Sequence, residues 1–349
     1  GGGPSRPPPP TDIARAVSEM SIAQLSEALE HSSRSLLGGA SWAVDVSEVT
    51  FGRRLGAGAY GEVFEAEWRR TRVAVKRLLT MPGADDSEKR VRKFYVRRRA
   101  TPSAPFVGAI LRRNSLTVHA TPPQAEMEIL SSARHDNIVR FLGGCVQPDN
   151  LCVLMEWCPT SLYQMLQSAE APLPLRRLLQ LAREIALGIF YLHSCKPPVL
   201  HLDLKSANVL LDTNGRAKVC DFGLAHFKQE SAGVMTSRMG SPLWTAPEVL
   251  KGEARDEKAD TYSFGMLLYE LLTRALPHGD VPAARVVMGV ITNMLPRPTL
   301  PDDAAADAPP ALVALMRACW QFDASERPSF SGILDEIERI AAAAEITFD

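Results

Sequence analysis

The sequence predicts an α+β chain of two unequal lobes, a small sheet-rich lobe with one helix followed by a larger, mainly helical one. Two blocks carry strand signals: Val44 to Lys76 alternates short β-branched runs with glycine, and a second alternating block spans Ile138 to Trp157. After Leu162 the texture changes, because LLQLAREIALGIFYLH, ADTYSFGMLLYELL, ALVALMRACW and FSGILDEIERIAAA each space apolar residues three and four apart, as helices do. No fixed-period repeat runs through the chain, which excludes solenoids and propellers.

The chain has 349 residues, 46% hydrophobic and 23% charged, which is ordinary globular usage and excludes disordered, collagenous and membrane classes. Lys plus Arg number 39 against 40 for Asp plus Glu, so a formal charge of -1 gives no whole-molecule field to draw in nucleic acid or anionic lipid. The six cysteines, Cys145, Cys152, Cys158, Cys195, Cys220 and Cys319, form no C-x-x-C pair, which argues against zinc and against a disulfide scaffold. They read as small core residues of a reducing, intracellular compartment, the cytoplasm with the nucleus as alternative. No window approaches the roughly 18 apolar residues of a membrane span, and GGGPSRPPPP lacks the apolar run of a secretory signal.

Taken in order, residues 1–10 are a Gly/Pro-rich end that packs nothing. Residues 11–44 form an extension in which Ile13, Val17, Met20, Leu25 and Leu29 recur at helical spacing, with Thr11 or Asp12 as a cap. Residues 45–342 make up the main domain, divided into 45–157 and 158–342, with a tail at 343–349. Within it, residues 81–123 stand apart as a long, weakly periodic stretch with a basic cluster from Lys89 to Arg99. The basic cluster reads as a solvated loop or helix face rather than a nucleic-acid contact.

Three groups of residues carry chemistry. Gly56, Gly58 and Gly61 sit between two expected strands, where the lack of Cβ lets backbone N–H groups approach phosphate oxygens, although a tight hairpin needs glycines too. A dinucleotide fold is disfavoured, because it would require a helix after the glycines. Lys76 closes the apolar run Val73-Ala-Val-Lys76, and a buried ammonium needs a phosphate or carboxylate partner unless it reaches water at the strand end. His201-Leu-Asp203-Leu-Lys205-Ser-Ala-Asn208, followed thirteen residues after the asparagine by Asp221-Phe-Gly, is the specific signal. Five fixed residues at fixed spacing arise by accident in about one chain in ten thousand at ordinary usage.

With these motifs the chain resembles the eukaryotic protein kinases over residues 45–342. The resemblance implies a bilobal protein kinase fold, an antiparallel β-sheet N-lobe plus one helix over a helical C-lobe, using ATP and Mg²⁺ on Ser/Thr-bearing protein substrates. It implies that Gly56, Gly58 and Gly61 cover the phosphates, with Leu55 and Val63 beside them, and that Lys76 holds the α- and β-phosphates. Asp203 would accept the substrate proton, Lys205 would neutralise the transferring phosphoryl group, and Asn208 and Asp221 would bind Mg²⁺. Met155, Glu156 and Cys158 are similar to the gatekeeper and hinge, with Ala74 and Leu210 sandwiching adenine. Asp260 resembles the anchor of the catalytic loop, and Arg327 the partner of Glu248 in Ala246-Pro247-Glu248. The helix partner of Lys76 would be Glu126, with Glu128 as runner-up.

Trp42, Trp68, RHDNIVRFLGGC and CW before RPSF resemble the tyrosine kinase-like group, including Raf-like and mixed-lineage-like enzymes, most of which modify Ser and Thr. Lys205 agrees with that reading, and Ser241 stands where such enzymes usually carry a threonine. The chain departs from the family in two places. Leu202 replaces the usual arginine, giving a Mos-like HLDLK, and an apolar side chain cannot pair with a phosphorylated activation loop, so phosphorylation at Thr236 or Ser237 is not expected to be required. Between Phe94 and Glu126 lie 31 residues, far more than the family's join, which read either as a surface loop or as translated intron sequence. Two rival functions follow: a pseudokinase scaffold, and a tyrosine or dual-specificity enzyme.

Overall fold

In the computed structural model the described residues are 44–58, 61–78, 133–147, 150–168, 172–221, 226–227, 241–302, 304 and 308–348. The helix expected within 11–30, the stretch 81–123, Glu126, Glu128, Thr236 and Ser237 lie outside them.

The first block of alternating residues folds as β1 (Val49–Gly58), β2 (Gly61–Trp68) and β3 (Thr71–Leu78), and the second as β4 (Phe141–Gln147) and β5 (Asn150–Glu156). They form one antiparallel sheet in the order β1-β2-β3-β5-β4. Val73 and Val75 are fully buried and pack with Val44, Val49, Ala66, Cys145, Cys152 and Leu154 in a small core of their own. Alternation along β3 therefore faces one side of the sheet to this core, which fixes the register of Lys76 opposite Val63 on β2 and Val153 on β5.

The helical half contains α1 (Leu162–Ser168), α2 (Leu175–Ser194), α3 (Pro247–Lys251), α4 (Lys258–Thr273), α5 (Ala283–Ile291), α6 (Pro310–Cys319) and α7 (Phe330–Ala343). Ser329 caps α7 through its side chain, which accepts the Gly332 N–H at 3.2 Å. Helix α4 differs from the others because every residue from Ala259 to Leu271 is buried. A helix covered on all sides is the axis of its lobe, and any polar group in it must find a partner inside the protein.

Five short strands complete the fold: β6 (Thr160–Ser161), β7 (Val199–Leu200), β8 (Val209–Leu211), β9 (Ala217–Val219) and β10 (His226–Phe227). The β6-β8-β9 ribbon places Asn208 and Asp221 at neighbouring ends of adjacent strands. Val219 also bonds the 137–139 segment in both directions, with Val139 N–H on the Val219 carbonyl and Val219 N–H on the Asn137 carbonyl, each at 2.9 Å. The sheet lobe is joined to the helical lobe along this line. Five of the six cysteines are buried and Cys195 is half-buried, and burial pushes the Cys158 thiol up to about 12.

Candidate active site

The loop between β7 and β8 carries the strongest motif, and buried Asp260 on α4 shapes it from below. Asp260 Oδ2 accepts the His201 N–H at 2.9 Å and Oδ1 accepts the Leu202 N–H at 2.8 Å, while His193 Nε2 lies 2.8 Å from Oδ2. Burial alone would raise this carboxyl, but the His193 and His201 interactions outweigh it and hold the pKa below the usual carboxylate value. The two backbone bonds hold Leu202 in the left-handed region at φ 62°, a conformation that costs a non-glycine residue about 1 kcal/mol or more. The Leu202 side chain is buried in the helical core.

That constrained turn presents Asp203. Its Oδ2 accepts from Lys205 Nζ and from Asn208 Nδ2, both at 2.9 Å, and its Oδ1 accepts the Ser241 N–H at 3.2 Å. Lys205 Nζ also reaches Ser241 Oγ at 2.6 Å. A second Asn208 bond, Nδ2 to the Asp203 carbonyl at 2.8 Å, commits the amide nitrogen and leaves the carbonyl end as the group that can face a cation.

Asp221 follows Cys220, whose N–H bonds the Asn208 carbonyl at 2.9 Å and whose carbonyl lies 3.0 Å from His201 Nε2. Asp221 itself is left-handed at φ 64° and bonds Lys76 Nζ through Oδ1 at 2.8 Å. Lys76 is 7% exposed and lies two residues short of the end of β3, so it is inside the protein and not at a wet strand end. One series of residues thus runs from Lys76 to Asp221, along the chain to Cys220 and its bond to Asn208, and on through Asp203 to Lys205 and Ser241, drawing together β3, the β7–β8 loop and the segment before α3.

The remaining sequence-predicted positions border this line. Gly58 pairs with Gly61 and Gly56 with Val63 at the tip of the β1–β2 hairpin. A Cβ built on Gly56 would meet nothing within 4 Å, so packing against the described residues does not explain the glycine there. Leu55 is exposed, Val63, Met155 and Leu210 are half-buried, and Ala74 and Cys158 are buried. The Glu156 carboxylate is engaged away from any ligand: Oε1 accepts the Arg140 N–H at 2.7 Å and pairs with Lys218 Nζ at 3.0 Å. Its backbone N–H is engaged as well, on the Arg140 carbonyl at 2.9 Å.

Arg327 is fully buried and meets Glu248 by two parallel bonds, Nη1 to Oε1 at 2.6 Å and Nη2 to Oε2 at 2.9 Å. Glu270, on α4, was missed by sequence reasoning: it is buried and accepts from Ser206 Oγ at 2.5 Å and from Trp244 Nε1 at 2.6 Å. The signal for it was present, since a carboxylate in a run as apolar as GMLLYELL has no water to turn to.

A family model described as protein tyrosine and serine/threonine kinase matches residues 110–337. Among curated proteins, the chain is 36% identical over 294 residues to the probable serine/threonine-protein kinase SIS8 of Arabidopsis thaliana, covering 84% of this chain and 25% of that protein. It is 34% identical over 298 residues to the probable serine/threonine-protein kinase drkA of Dictyostelium discoideum, covering 85% and 40%. The serine/threonine-protein kinase CTR1 of Arabidopsis thaliana is 34% identical over 359 residues, covering 98% and 39%. The chain therefore spans between a quarter and two-fifths of the length of these relatives. The family match takes in the loop of Asp203, the Asp221 strand end and the Glu248–Arg327 pair, and the relatives' alignments extend over most of the chain. The geometry and these matches lead to one conclusion: the chain belongs to the protein tyrosine and serine/threonine kinase family.

Proposed function

We propose that the chain is a serine/threonine protein kinase of the tyrosine kinase-like group, transferring the γ-phosphoryl group of ATP to Ser and Thr hydroxyls of proteins. The observation that carries the reading is Asp203, a carboxylate held by Lys205, Asn208 and the Ser241 N–H beside the Lys76–Asp221 pair. Asp203 would orient a substrate hydroxyl and take its proton, and Lys205 would meet the negative charge that gathers on the phosphoryl oxygens. Lys76 would hold the α- and β-phosphates, with Gly56, Gly58 and Gly61 covering them. Leu55, Val63, Ala74, Met155 and Leu210 offer apolar surface for a purine ring, with the Glu156 and Cys158 backbone at the hinge. Glu126 is proposed as the second partner of Lys76, by its place in the sequence alone.

The donor set fits Mg²⁺. Asp221 and Asn208 offer hard oxygen ligands, and among the described residues no cluster of three or more His, Cys, Asp or Glu is placed to chelate an ion. Magnesium is commonly held by one or two protein groups, with phosphate and water filling the other positions. When bound, it would neutralise charge between the β- and γ-phosphates.

The test is transfer of labelled phosphate from ATP to a generic basic protein, followed by phosphoamino-acid analysis. Asp203→Asn is expected to lower kcat by about 10²–10⁴-fold with thermal stability nearly unchanged. Labelled serine and threonine without labelled tyrosine support the reading. Label on tyrosine would favour the dual-specificity alternative, and absence of transfer by the wild-type chain would favour a scaffold. Burial of Leu202 in the core supports activity without activation-segment phosphate, so the chain with Thr236 and Ser237 both changed to Ala should stay active in the same assay.

A further inference from the structure

Glu270 lies on the helix that forms the axis of its lobe, with 2% of its surface exposed. Its two bonds go to two different chain segments. Ser206 directly follows Lys205, and Trp244 lies three residues beyond Ser241, with its N–H turned back onto the Ser241 carbonyl at 3.1 Å. The same two segments meet again at Lys205–Ser241 and Asp203–Ser241, at 2.6 and 3.2 Å. Beneath the reacting groups, the carboxylate of Glu270 is the second place where the segments are fastened together.

We propose that Glu270 is a positioning residue for phosphate transfer, whose two carboxyl oxygens clamp the Asp203–Lys205 segment to the Ser241–Trp244 segment. The inference rests on the kinase reading and assigns Glu270 a role within that site. As mere packing, this residue would be a poor choice. Both of these bond partners are neutral, with no cation among the described residues acting on the buried charge, and burial raises its pKa to about 7 against the pull of the Ser206 and Trp244 bonds. An apolar residue of similar size would avoid that cost, but it would join nothing.

The clamp works through hydrogen bonds and does not need the charge. Glutamine can accept the Trp244 N–H through its carbonyl and donate its amide to Ser206 Oγ, because a hydroxyl can turn from donor to acceptor whereas an indole N–H cannot. Glu270→Gln therefore rescues what Glu270→Ala and Glu270→Met lose. Ser206→Ala cuts one of the two ties and leaves the helix intact.

The experiment combines kinetics with hydrogen exchange on the whole chain. Glu270→Ala and Glu270→Met are expected to lower kcat by about a hundredfold, the scale of a misplacement near 1 Å, with KM for ATP within about twofold of wild type. Glu270→Gln should stay within about threefold of wild type. Ser206→Ala should cost about tenfold alone and nothing further in the Glu270→Ala background, because it breaks a tie already lost. Amide exchange in residues 203–208 and 241–246 should quicken in Glu270→Ala and Ser206→Ala but not in Glu270→Gln. Wild-type kcat in Glu270→Ala, multiplicative losses in the double variant, or unchanged exchange in both segments would overturn the clamp. A wild-type chain that transfers no phosphate would overturn the parent reading instead, and the exchange arm would still decide the clamp. If Glu270→Ala and Glu270→Met fail to fold, Ser206→Ala carries the kinetic and exchange tests alone.

Discussion

Two buried carboxylates in this lobe are both pushed up by burial yet end on opposite sides of their ordinary values, because their partners differ. Asp260 stays depressed because histidine and backbone N–H bonds outweigh desolvation, whereas Glu270, bonded only by neutral donors, is raised to about 7 from an ordinary 4.5. The folded chain therefore binds a proton on Glu270 that the unfolded chain has released between pH about 4.5 and 7. Stability from this group is fully present below that window and is lost as pH rises through it, by on the order of 3 kcal/mol for a 2% exposed side chain. Asp260 has the opposite sign, losing its contribution only as pH falls through a depressed pKa, so it is silent between pH 5 and 8. His135 and His278, both lowered chiefly by burial, contribute equally in wild type and variant. Urea denaturation should find Glu270→Gln near wild type at pH 5 and more stable by about 3 kcal/mol at pH 8. Parallel curves across that range would show that burial does not set the Glu270 charge.

At the scale of elements, packing decides against intrinsic preference. Gly265 lies inside α4, where alanine would be favoured by about 1 kcal/mol on helix propensity alone. A Cβ there would come within 2.9 Å of Cys319 Cβ, 3.1 Å of the Trp320 nitrogen and 3.2 Å of the Met316 oxygen. Two of those three atoms are backbone, so α6 cannot yield by turning a side chain, and Gly265→Ala should destabilise by about 1–3 kcal/mol. The denaturation midpoint checks it, with KM for ATP unchanged because the crowded atoms belong to Met316, Cys319 and Trp320 and not to the loop of Asp203. Long elements of this kind were legible in the sequence, since ten or more residues of periodic apolar spacing identify α2, α4, α6 and α7, and alternation identifies β1 to β5. Strands β6 to β10 were not, because two or three residues carry no period. The all-round burial of α4 also escaped the pattern, and with it the fact that Glu270 faces Ser206 and Trp244 from 64 and 26 residues away in sequence. Asp203, Lys205, Asn208, Asp221 and Lys76 were legible as residue types at set intervals, but their contacts, made across up to 145 residues, are products of the fold.

Across the whole molecule, two sets of contacts among the described residues join the lobes. On the hinge side, Lys218 ties Glu156 to the Asp136 carbonyl while Val219 bonds the 137–139 segment twice, a set of short backbone and ionic contacts that no ligand needs to break. On the cleft side, Lys76 from the sheet lobe meets Asp221 from the helical lobe directly, and both residues are the ones assigned to the nucleotide and its metal. A bound nucleotide with Mg²⁺ would place phosphate oxygens against the ammonium and the cation against the carboxylate, so the two lobes would be bridged through the ligand instead of by the Lys76–Asp221 contact. Such binding to the folded state alone adds about 3 kcal/mol at a hundredfold excess over Kd, which raises Tm by several degrees in a chain of this size. The rise should depend on the metal, because phosphate and Asp221 repel one another without it. A non-hydrolysable ATP analogue should therefore raise Tm with Mg²⁺ and far less with EDTA. Asp221→Asn should remove most of the difference between the two conditions, and Lys76→Met should lower the rise in both. Equal shifts with and without Mg²⁺, or an Asp221→Asn chain that responds as wild type does, would place the nucleotide away from this pair and undo the assignment of the cleft.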